Sequence, residues 1–303
     1  MSVNSEQTLF VTGASGQMGR RVVELLLEQG AGRIVAGTRH PDKLADLASK
    51  GVTVRQADFE DPQGLEAALS GVDRVLIIST DAIDRPGRRI AQHRAAVAAA
   101  VKAGVKHVIY TSMPNPETSP VVFAPDHLGT EQALAASGLS YTILRNCWYT
   151  DFLIPTLAPA VATGKLVAAT GQGGAPFVTR EDCARAAAAA LASSDTSNRT
   201  WNITGPAVVT YADLARLAGE LTGKPVEYVN VQPEERVQQL VGFGTPEPIA
   251  KMLVSSQTAI AQGKMGTATS AVQELTGRAP TSVAEFLSTR RSALLPASQS
   301  AGH

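Results

Sequence analysis

Short apolar runs alternate with amphipathic segments along the first half of the chain. In the first amphipathic segment, Met18, Val22 and Leu25 recur at i, i+4 and i+7, which predicts a helix that buries one face. The run at residues 75–78 is continuously apolar, as is typical of a parallel strand covered on both sides. Strands that alternate with helices predict an α/β fold with a doubly wound parallel sheet and right-handed crossovers. Six such strands are predicted, at residues 9–12, 33–37, 52–57, 75–78, 107–112 and 141–144.

An alanine-rich helix is predicted between the fourth and fifth strands, over residues 85–103. Ile90, Val97 and Val101 recur on the side that we expect to face inward. The opposite side is basic, and we interpret it as a solvated face and not as a phosphate-binding patch. That side carries Arg85, Arg88, Arg89 and Arg94.

The chain changes character after Arg145, where the predicted elements become shorter and less regular. Residues 179–182 have the pattern of a capping box that opens a helix. We expect a first domain over residues 1–150 and a smaller, mostly helical lobe over residues 151–303, interleaved with the first, that closes over the carboxyl ends of the sheet. Residues 297–303 are expected to fray. Further strands are predicted at residues 199–204 and 226–231, and a further helix at residues 211–221.

Length and charge narrow the classes of protein that this chain can belong to. Its 303 residues are enough for one large core or for two lobes. Lysine plus arginine equals aspartate plus glutamate at 27 each, so a nucleic acid or an anionic membrane gains no electrostatic attraction. The first residues are polar and no apolar run approaches the roughly 20 residues of a spanning helix, so we expect a soluble, cytoplasmic protein. The neutral charge and the amphipathic tail are compatible with a homodimer.

The two cysteines stand in different predicted elements. Cys147 and Cys183 have neither a CxxC spacing nor a histidine pair nearby. The sequence therefore predicts neither a disulfide framework nor a zinc site, and no metal is expected. We expect both thiols to be buried or half-buried.

Three glycines stand directly behind the first predicted strand and open the first helix. Gly13, Gly16 and Gly19 form a GxxGxxG spacing. In this position one glycine permits a tight turn, one lets backbone N–H groups approach a pyrophosphate, and one allows close packing of helix on strand. The helix N-terminus adds partial positive charge and free N–H donors. We therefore predict a dinucleotide site, in preference to the alternative that the small residues only make a turn.

The end of the second predicted strand distinguishes the two nicotinamide dinucleotides. Twenty residues past Gly19, where an NAD-binding fold usually offers an acid to the ribose 2′-hydroxyl, this chain has Arg39. A guanidinium suits a 2′-phosphate because it makes a forked, charge-assisted contact. The sequence therefore predicts NADP(H), with Arg20 or His40 as candidate helpers. The alternative is that Arg39 is an ordinary solvated arginine.

Polar residues also follow the third and fourth predicted strands. Asp58 and Phe59 could flank an adenine, one by a hydrogen bond and the other by stacking. Asp58 could instead cap the turn that follows it. Ser79 and Thr80 come at the carboxyl end of the strand at residues 75–78, where the ligands of such sheets gather.

Four short segments of the sequence together resemble the corresponding segments of the NmrA-like atypical short-chain dehydrogenase/reductases, which have a Rossmann fold. The spacing of His127, Glu131 and the segment at residues 144–149 looks most like the bacterial NADPH-dependent quinone reductases, with the triphenylmethane reductases next. The resemblance covers about residues 8–287 and implies NADP(H) as the cofactor. The four segments are Thr-Gly-Ala-Ser-Gly-Gln-Met-Gly at 12–19, Thr-Arg at 38–39, Ile-Tyr-Thr-Ser at 109–112 and Leu-Arg-Asn-Cys-Trp-Tyr at 144–149.

The resemblance also implies roles for individual residues along the whole length of the cofactor. By this resemblance the pyrophosphate would be held by Gly13, Ser15, Gly16, Gln17, Met18 and Gly19, the 2′-phosphate by Arg39 and the adenine by Asp58. The nicotinamide half would lie along Ser79, Thr80, Thr111 and Ser112. The residues near the nicotinamide and the substrate would be Asn146, Trp148 and Tyr149.

The proton donor of ordinary short-chain dehydrogenases is missing. Those enzymes protonate a carbonyl oxygen with the tyrosine of a Tyr-x-x-x-Lys pair, whose lysine lowers the tyrosine pKa. None of the five tyrosines here has a lysine four residues on, and the corresponding segment is His-Leu-Gly-Thr-Glu at residues 127–131. Reduction of a ketone is therefore not favoured, because it leaves a strongly basic alkoxide. A quinone gives a delocalised phenolate whose conjugate acid has a pKa of about 10, and a cationic triarylmethane dye needs no proton.

Three side chains are candidates for direct roles in the reaction: His127, Asn146 and Tyr149. His127 could deliver a proton to the quinol oxygen, since its ordinary pKa of about 6.5 suits that role. It could equally bridge a loop and a helix. Trp148, Tyr149 and Phe152 could form an aromatic wall for the substrate, or they could be core contacts that join the two lobes.

These observations predict an oxidoreductase that transfers hydride from NADPH to a quinone or a similar planar electrophile. The protein would mainly position the reactants and keep water away. Some NmrA-like proteins instead bind NADP(H) without turning it over and regulate a partner protein, and the missing Tyr-Lys pair fits both classes. The segment at residues 144–149 favours the enzyme.

Overall fold

The computed structural model describes residues 6–295, so the fraying expected at residues 297–303 lies outside the described residues. Within that range the chain forms eleven strands, twelve α-helices and three short 3-10 helices. The strands are β1 (Thr8–Val11), β2 (Arg33–Thr38), β3 (Thr53–Gln56), β4 (Arg74–Ile77), β5 (His107–Ser112), β6 (Ser140–Asn146), β7 (Lys165–Ala168), β8 (Gly174–Ala175), β9 (Arg199–Ile203), β10 (Val209–Thr210) and β11 (Glu227–Asn230). The α-helices are α1 (Gln17–Glu28), α2 (Ala45–Ala48), α3 (Pro62–Ala68), α4 (Arg88–Lys102), α5 (Ala124–Ala136), α6 (Leu153–Thr163), α7 (Arg180–Ala192), α8 (Tyr211–Thr222), α9 (Pro233–Gly242), α10 (Glu247–Ala261), α11 (Ala271–Thr276) and α12 (Val283–Ser288). The 3-10 helices are Pro41–Leu44, Thr150–Phe152 and Arg291–Leu294.

Seven strands form one Rossmann-like sheet in the order β3-β2-β1-β4-β5-β6-β9, and every neighbouring pair is parallel. The doubly wound parallel sheet expected from the sequence is therefore confirmed. After β1 the chain adds strands on one side of it, and from β4 onward it adds them on the other. Where the order reverses, neighbouring loops leave in opposite directions and open a crevice outside the carboxyl ends of the strands.

Alternate residues of the central strand β1 enter two separate cores. Leu9 and Val11 belong to the cluster that includes residues of α1 and α7, whereas Phe10 belongs to the opposite cluster with Tyr110 of β5. This alternation follows from the pleat, which points successive side chains to opposite faces. Because both faces are covered, the strand at residues 75–78 can be continuously apolar.

The second half of the chain extends the main sheet and builds two smaller ones. β9, close to the strand predicted at residues 199–204, lies beside β6 with Ile203 opposite Asn146. β7 pairs in parallel with β11, and β8 pairs antiparallel with β10. The tail is mostly helical, as expected, in α9 to α12. None of the helices between residues 6 and 295 is long and apolar enough to cross a membrane.

The alanine-rich helix differs from its prediction in its bounds and in its faces. α4 begins only at Arg88, after Gly87 in the left-handed conformation with a φ of 78°. Val101, expected to face inward, is 43% exposed. Arg89, expected on the solvated face, is only 6% exposed. The prediction was wrong for these two residues because the contact of α4 with α5, and not the apolar spacing of α4 itself, decides which side is buried.

Candidate active site

A cleft of about 700 Å³ runs along the carboxyl ends of β1, β2, β3 and β4. Segments that are far apart in sequence meet in it, because the carboxyl ends of parallel strands lie at one edge of the sheet. The structure brings together here the residues that the sequence assigned to the phosphates and the adenine, and two of those assigned to the nicotinamide half. They are Gly13, Ser15, Gly16, Gln17, Met18, Gly19, Arg39, Asp58, Phe59, Ser79 and Thr80.

The glycine loop between β1 and α1 presents a helix N-terminus to this cleft. Gly13 has a φ of 60°, and its carbonyl accepts a hydrogen bond from the N–H of Gly16 at 2.9 Å. A Cβ atom at Gly19 would overlap the carbonyl group of Gly13, so α1 lies too close to the loop for any side chain there. The N-cap residue Gly16 makes no side-chain cap, and the first turn of α1 contains no acidic residue. The N–H groups of this turn are therefore available to an anion.

The arginine that follows β2 lies unpaired at the cleft. Arg39 is exposed, and no hydrogen bond or ion pair holds its guanidinium within residues 6–295. Arg20, its candidate helper, donates to Asp46 at 2.7 Å and to the carbonyl of Lys43 at 2.9 Å. Arg20 is therefore committed to the protein, whereas Arg39 is available to a ligand.

The Asp58 carboxylate caps the turn that follows it and also faces the cleft. It lines the cleft, and its Oδ1 accepts a hydrogen bond from the backbone N–H of Glu60 at 3.0 Å. The cap uses one carboxylate oxygen, and the other has no hydrogen bond within the part of the chain that the structure describes. Phe59 lines the same cleft and packs against the core cluster on the far side of the sheet.

An apolar pocket of about 340 Å³ opens off the cleft. Ser79, Thr80 and Asp81 line both cavities, so the two meet along these residues. Met252 and Met265 add apolar surface from the second half of the chain. The remaining predicted residues also line this pocket: Thr111, Ser112, His127, Asn146, Trp148 and Tyr149.

Hydroxyl groups tie the ends of β4 and β5 together where the cavities meet. Thr111 Oγ1 accepts a hydrogen bond from the backbone N–H of Ser79 at 2.9 Å and donates to Ser79 Oγ at 3.3 Å. Ser112 donates to Glu131 at 2.6 Å, and Glu131 in turn pairs with Arg145 at 2.6 Å. These bonds fix the strand ends at the floor of the site.

His127 lies at the base of the apolar pocket with both ring nitrogens bonded. Nε2 lies 2.9 Å from Arg89 Nη2, and Nδ1 lies 2.8 Å from the hydroxyl of Tyr110. A guanidinium can only donate, so Nε2 accepts and the ring proton resides on Nδ1. Burial, reinforced by the charge of Arg89, holds the pKa of His127 well below its usual value.

The role of proton donor does not fit this geometry. A neutral histidine whose two nitrogens are both bonded to the protein has no proton ready for a substrate. The alternative role of a bridging histidine does fit. His127 connects α5 with Arg89 of α4 and Tyr110 of β5, rather than a loop with a helix.

Asn146 and Tyr149 connect the cofactor cleft with the apolar pocket. Asn146 Nδ2 donates to the hydroxyl of Tyr149 at 3.4 Å, and that hydroxyl donates to the sulfur of Met18 in α1 at 3.7 Å. Burial raises the pKa of Tyr149, so the side chain stays a neutral phenol. Asn146 Oδ1 is buried and makes no hydrogen bond within the described residues 6–295. The pocket therefore contains one acceptor that the protein leaves unsatisfied.

Arg180 at the start of α7 is a residue of the cleft that sequence reasoning missed. It donates to Asp151 at 3.0 Å and lies over the rings of Tyr149 and Phe152, at 5.3 and 5.7 Å from their centres. Trp148 and Tyr149 pack against the main core and also line the apolar pocket. No spacing rule connects Arg180 with this segment, because the contact forms only in the folded chain.

Both cysteines are buried free thiols. Cys147 lines the apolar pocket, and burial raises its pKa to about 12. A thiol that stays protonated is a poor nucleophile. Cys147 therefore acts as an apolar part of the wall.

Comparison with known proteins gives a consistent set of relatives. The sequence model of the NmrA-like family matches residues 5–287. Quinone oxidoreductase 2 of Escherichia coli is 36% identical over 281 residues, which are 92% of this chain and 97% of that protein. The crystal structure of the E. coli NADPH-dependent quinone oxidoreductase with NADPH has a TM-score of 0.89 at 36% identity, over 93% of this chain and 99% of that one. The triphenylmethane reductase of Citrobacter sp., solved with NADP(H), has a TM-score of 0.87 at 36% identity with the same two coverages, 93% and 99%.

Proposed function

Because the chain belongs to the NmrA-like family, we propose that it is an NADPH-dependent oxidoreductase that transfers hydride to a quinone or a similar planar electrophile. The observation that carries this proposal is the meeting of two cavities at Ser79, Thr80 and Asp81. One cavity has the features of a dinucleotide site, and the other is apolar and of a size for a small ring system. A hydride donor in the first cavity would lie beside an acceptor in the second.

The residues of the cleft fit NADP(H). The N–H groups at the start of α1 suit the pyrophosphate, and the packing at Gly19 keeps that end of the helix open to it. The unpaired guanidinium of Arg39 suits the 2′-phosphate. Asp58 and Phe59 are suited to the adenine, and Ser79, Thr80, Thr111, Ser112 and Trp148 to the nicotinamide half.

The chain's own residues would position the reactants and would not need to supply a proton. When bound, NADPH supplies the hydride. The methionines and the aromatic residues of the pocket would keep water from the acceptor. The neutral states of His127 and Tyr149 fit an acceptor such as a quinone, whose reduced form is a weak base, because no Tyr-x-x-x-Lys acid is then required.

We also propose a division of labour between the two parts of the chain. Residues 1–150 would hold the dinucleotide, and residues 151–303 would form the substrate-side lobe. Met252, Met265 and Arg180 support this division, since all three reach the cavities from the second part.

An NADP(H) sensor without turnover is the alternative function. It is favoured by the same absence of a ready acid, because a protein that only binds the dinucleotide needs none. Under this alternative the apolar pocket would receive a segment of a partner or a regulatory ligand.

Steady-state oxidation of NADPH and of NADH by the purified protein tests the proposal. The acceptors are a panel of para-quinones and one cationic triarylmethane dye. We expect turnover with quinones and a strong preference for NADPH. Tight binding of NADPH without turnover of any acceptor would reject the enzyme and favour the sensor.

A further inference from the structure

Arg89 of α4 lines the apolar pocket at the junction with the cofactor cleft. It is only 6% exposed, and its guanidinium carbon lies 5.2 Å from the centre of the Phe123 ring. Its Nε donates to the carbonyl of Thr80 at 2.6 Å, and its Nη2 donates to His127 at 2.9 Å. Thr80 lines both cavities, so these two bonds hold the guanidinium where the cavities meet.

The charge of this guanidinium is only partly balanced by the protein. Its Nη1 is buried and has no hydrogen-bond acceptor among residues 6–295, and the carboxylate that pairs with it, Asp126, is 3.8 Å away. His127 is neutral, and Tyr110 stays a phenol because burial raises its pKa. Asp81 lines the pocket but is exposed to solvent. A buried cation with an unused donor is costly unless a ligand completes it.

We propose that Arg89 is the oxyanion-binding residue of the pocket, which holds a carbonyl oxygen of the electrophile and stabilises the negative charge that develops there. The inference rests on the proposed function and deepens it, because it names the acceptor as a planar carbonyl compound whose first product is an anion. His127 is then a positioning residue, since it fixes the guanidinium and does not touch the substrate oxygen.

The step balances without an acidic side chain. The quinone gains two electrons and one hydrogen nucleus as hydride from the reduced cofactor, which is oxidised in the same step. The hydride forms an O–H bond at one carbonyl oxygen, the ring becomes aromatic, and the electron pair of the opposite carbonyl π bond resides on the other oxygen, which gives the quinol monoanion. The Arg89 guanidinium pairs with this oxygen and keeps all its protons. A proton from solvent then completes the quinol.

The same charge distinguishes between classes of acceptor. Negative charge that appears in the transition state is attracted by Arg89 in a site of low dielectric constant. A triarylmethane cation offers no oxyanion and is repelled by the same group. Removing the charge is therefore expected to slow the reduction of the quinone and not that of the dye.

The first test measures anion binding without turnover. 4-Nitrophenol is bound to the protein in the presence of NADP+, and its phenolate absorbance is titrated against pH. In the wild type we expect bound 4-nitrophenol to ionise about one pH unit or more below its value in Arg89→Gln, because a positive charge nearby favours the phenolate. Arg94→Gln is the matched control, since Arg94 is an exposed arginine of the same helix.

A second variant keeps the test decisive if Arg89→Gln does not fold. Asp126→Asn removes the partial counter-charge of Arg89 and is expected to lower the ionisation pH of bound 4-nitrophenol further. A wild-type value for bound 4-nitrophenol in Arg89→Gln, or in Asp126→Asn where Arg89→Gln does not fold, would overturn the proposal. So would a wild type that binds no phenolate.

The kinetic test separates this inference from the proposed function. Arg89→Gln is expected to lower kcat/KM for a para-quinone about 100-fold and to leave that for the cationic dye unchanged or raised. Equal losses for both acceptors would overturn the oxyanion role and leave the reductase intact. A wild type that ionises bound 4-nitrophenol as expected but reduces no acceptor would reject the reductase and retain the anion site.

Discussion

Arg39 and Arg20 both lie near the glycine loop, but their guanidinium groups differ in their contacts with the rest of the protein. Arg20 is paired with Asp46, whereas the guanidinium of Arg39 has no partner within residues 6–295. Arg39 can therefore turn towards a phosphate without breaking a contact with the protein. We therefore propose that Arg39, and not Arg20, gives the preference for NADPH.

Replacing Arg39 tests this assignment. Arg39→Ala is expected to raise the KM for NADPH about 10- to 100-fold, because hydrogen bonds to a charged group contribute about 1.5–3 kcal/mol. The KM for NADH is expected to stay nearly constant, since NADH lacks the 2′-phosphate. Lys50→Ala, which removes an exposed charge beyond α2, is the control. Equal changes for both dinucleotides would contradict the assignment.

Single residues of the site differ in how far the sequence could predict them. The glycine loop connects β1 with α1, and Arg39 and Asp58 lie within two residues of the ends of β2 and β3, so a local pattern is enough to place them at the carboxyl edge of a parallel sheet. Arg89 could not be placed in this way. It is buried through contacts with His127, which is 38 positions further along the chain, and no helical spacing contains that information. The same holds for Arg180 and its contact with Tyr149.

Among the secondary-structure elements, α1 requires a position without a side chain at Gly19. Gly19→Ala is expected to destabilise the protein by about 1–3 kcal/mol, because the added methyl group must displace the carbonyl of Gly13. The displaced loop is also expected to bind NADPH more weakly. Urea unfolding and a fluorescence titration with NADPH measure the two effects.

A second glycine serves as the matched control. Gly242 ends α9, and a Cβ atom built there has no atom within 4 Å. Gly242→Ala is expected to leave NADPH binding unchanged and to stabilise the protein by up to about 1 kcal/mol, since alanine favours the helix. Similar behaviour of Gly19→Ala and Gly242→Ala would contradict the close packing of α1 on the loop.

The bounds of elements with a strong local sequence pattern were predicted well. The arrangement of the elements in the second half of the chain was not. The first strands are continuous or alternating apolar runs, and β1 to β6 lie close to their predicted bounds. β9 was expected as a strand at residues 199–204, but its place beside β6 depends on the pairing of Ile203 with Asn146. Such a pairing between distant segments is decided by packing in the folded chain.

At the scale of the whole molecule, three buried histidines make folding sensitive to acid. His93, His107 and His127 are at most 4% exposed. Burial lowers the pKa of His93 to about 3 and that of His107 to about 4, and holds that of His127 well below its usual value. The unfolded chain binds protons near pH 6.5 and the folded chain does not, so stability is present above that pH and falls as the pH decreases.

The expected loss is large enough to measure. Between about pH 7.5 and pH 5, His93 and His107 each remove about 2 kcal/mol from the free energy of unfolding, and His127 lowers it further in the same direction. Urea unfolding across this range measures it. His107→Gln is expected to reduce the loss over this range by about 2 kcal/mol. A free energy of unfolding that is constant from pH 7.5 to 5 would contradict the burial of these rings.

The two cavities act as one site only if an acceptor in the apolar pocket can take hydride from the dinucleotide in the cleft. A single-turnover experiment tests this most directly. Protein in excess is loaded with NADPH, mixed anaerobically with a para-quinone, and followed by the absorbance of the reduced nicotinamide. We expect the bound NADPH to be oxidised in one exponential phase, with one quinol formed per NADPH and a slower phase when the transferred hydrogen is deuterium. Bound NADPH that stays reduced, while quinone occupies the pocket, would contradict the account and identify the protein as a sensor.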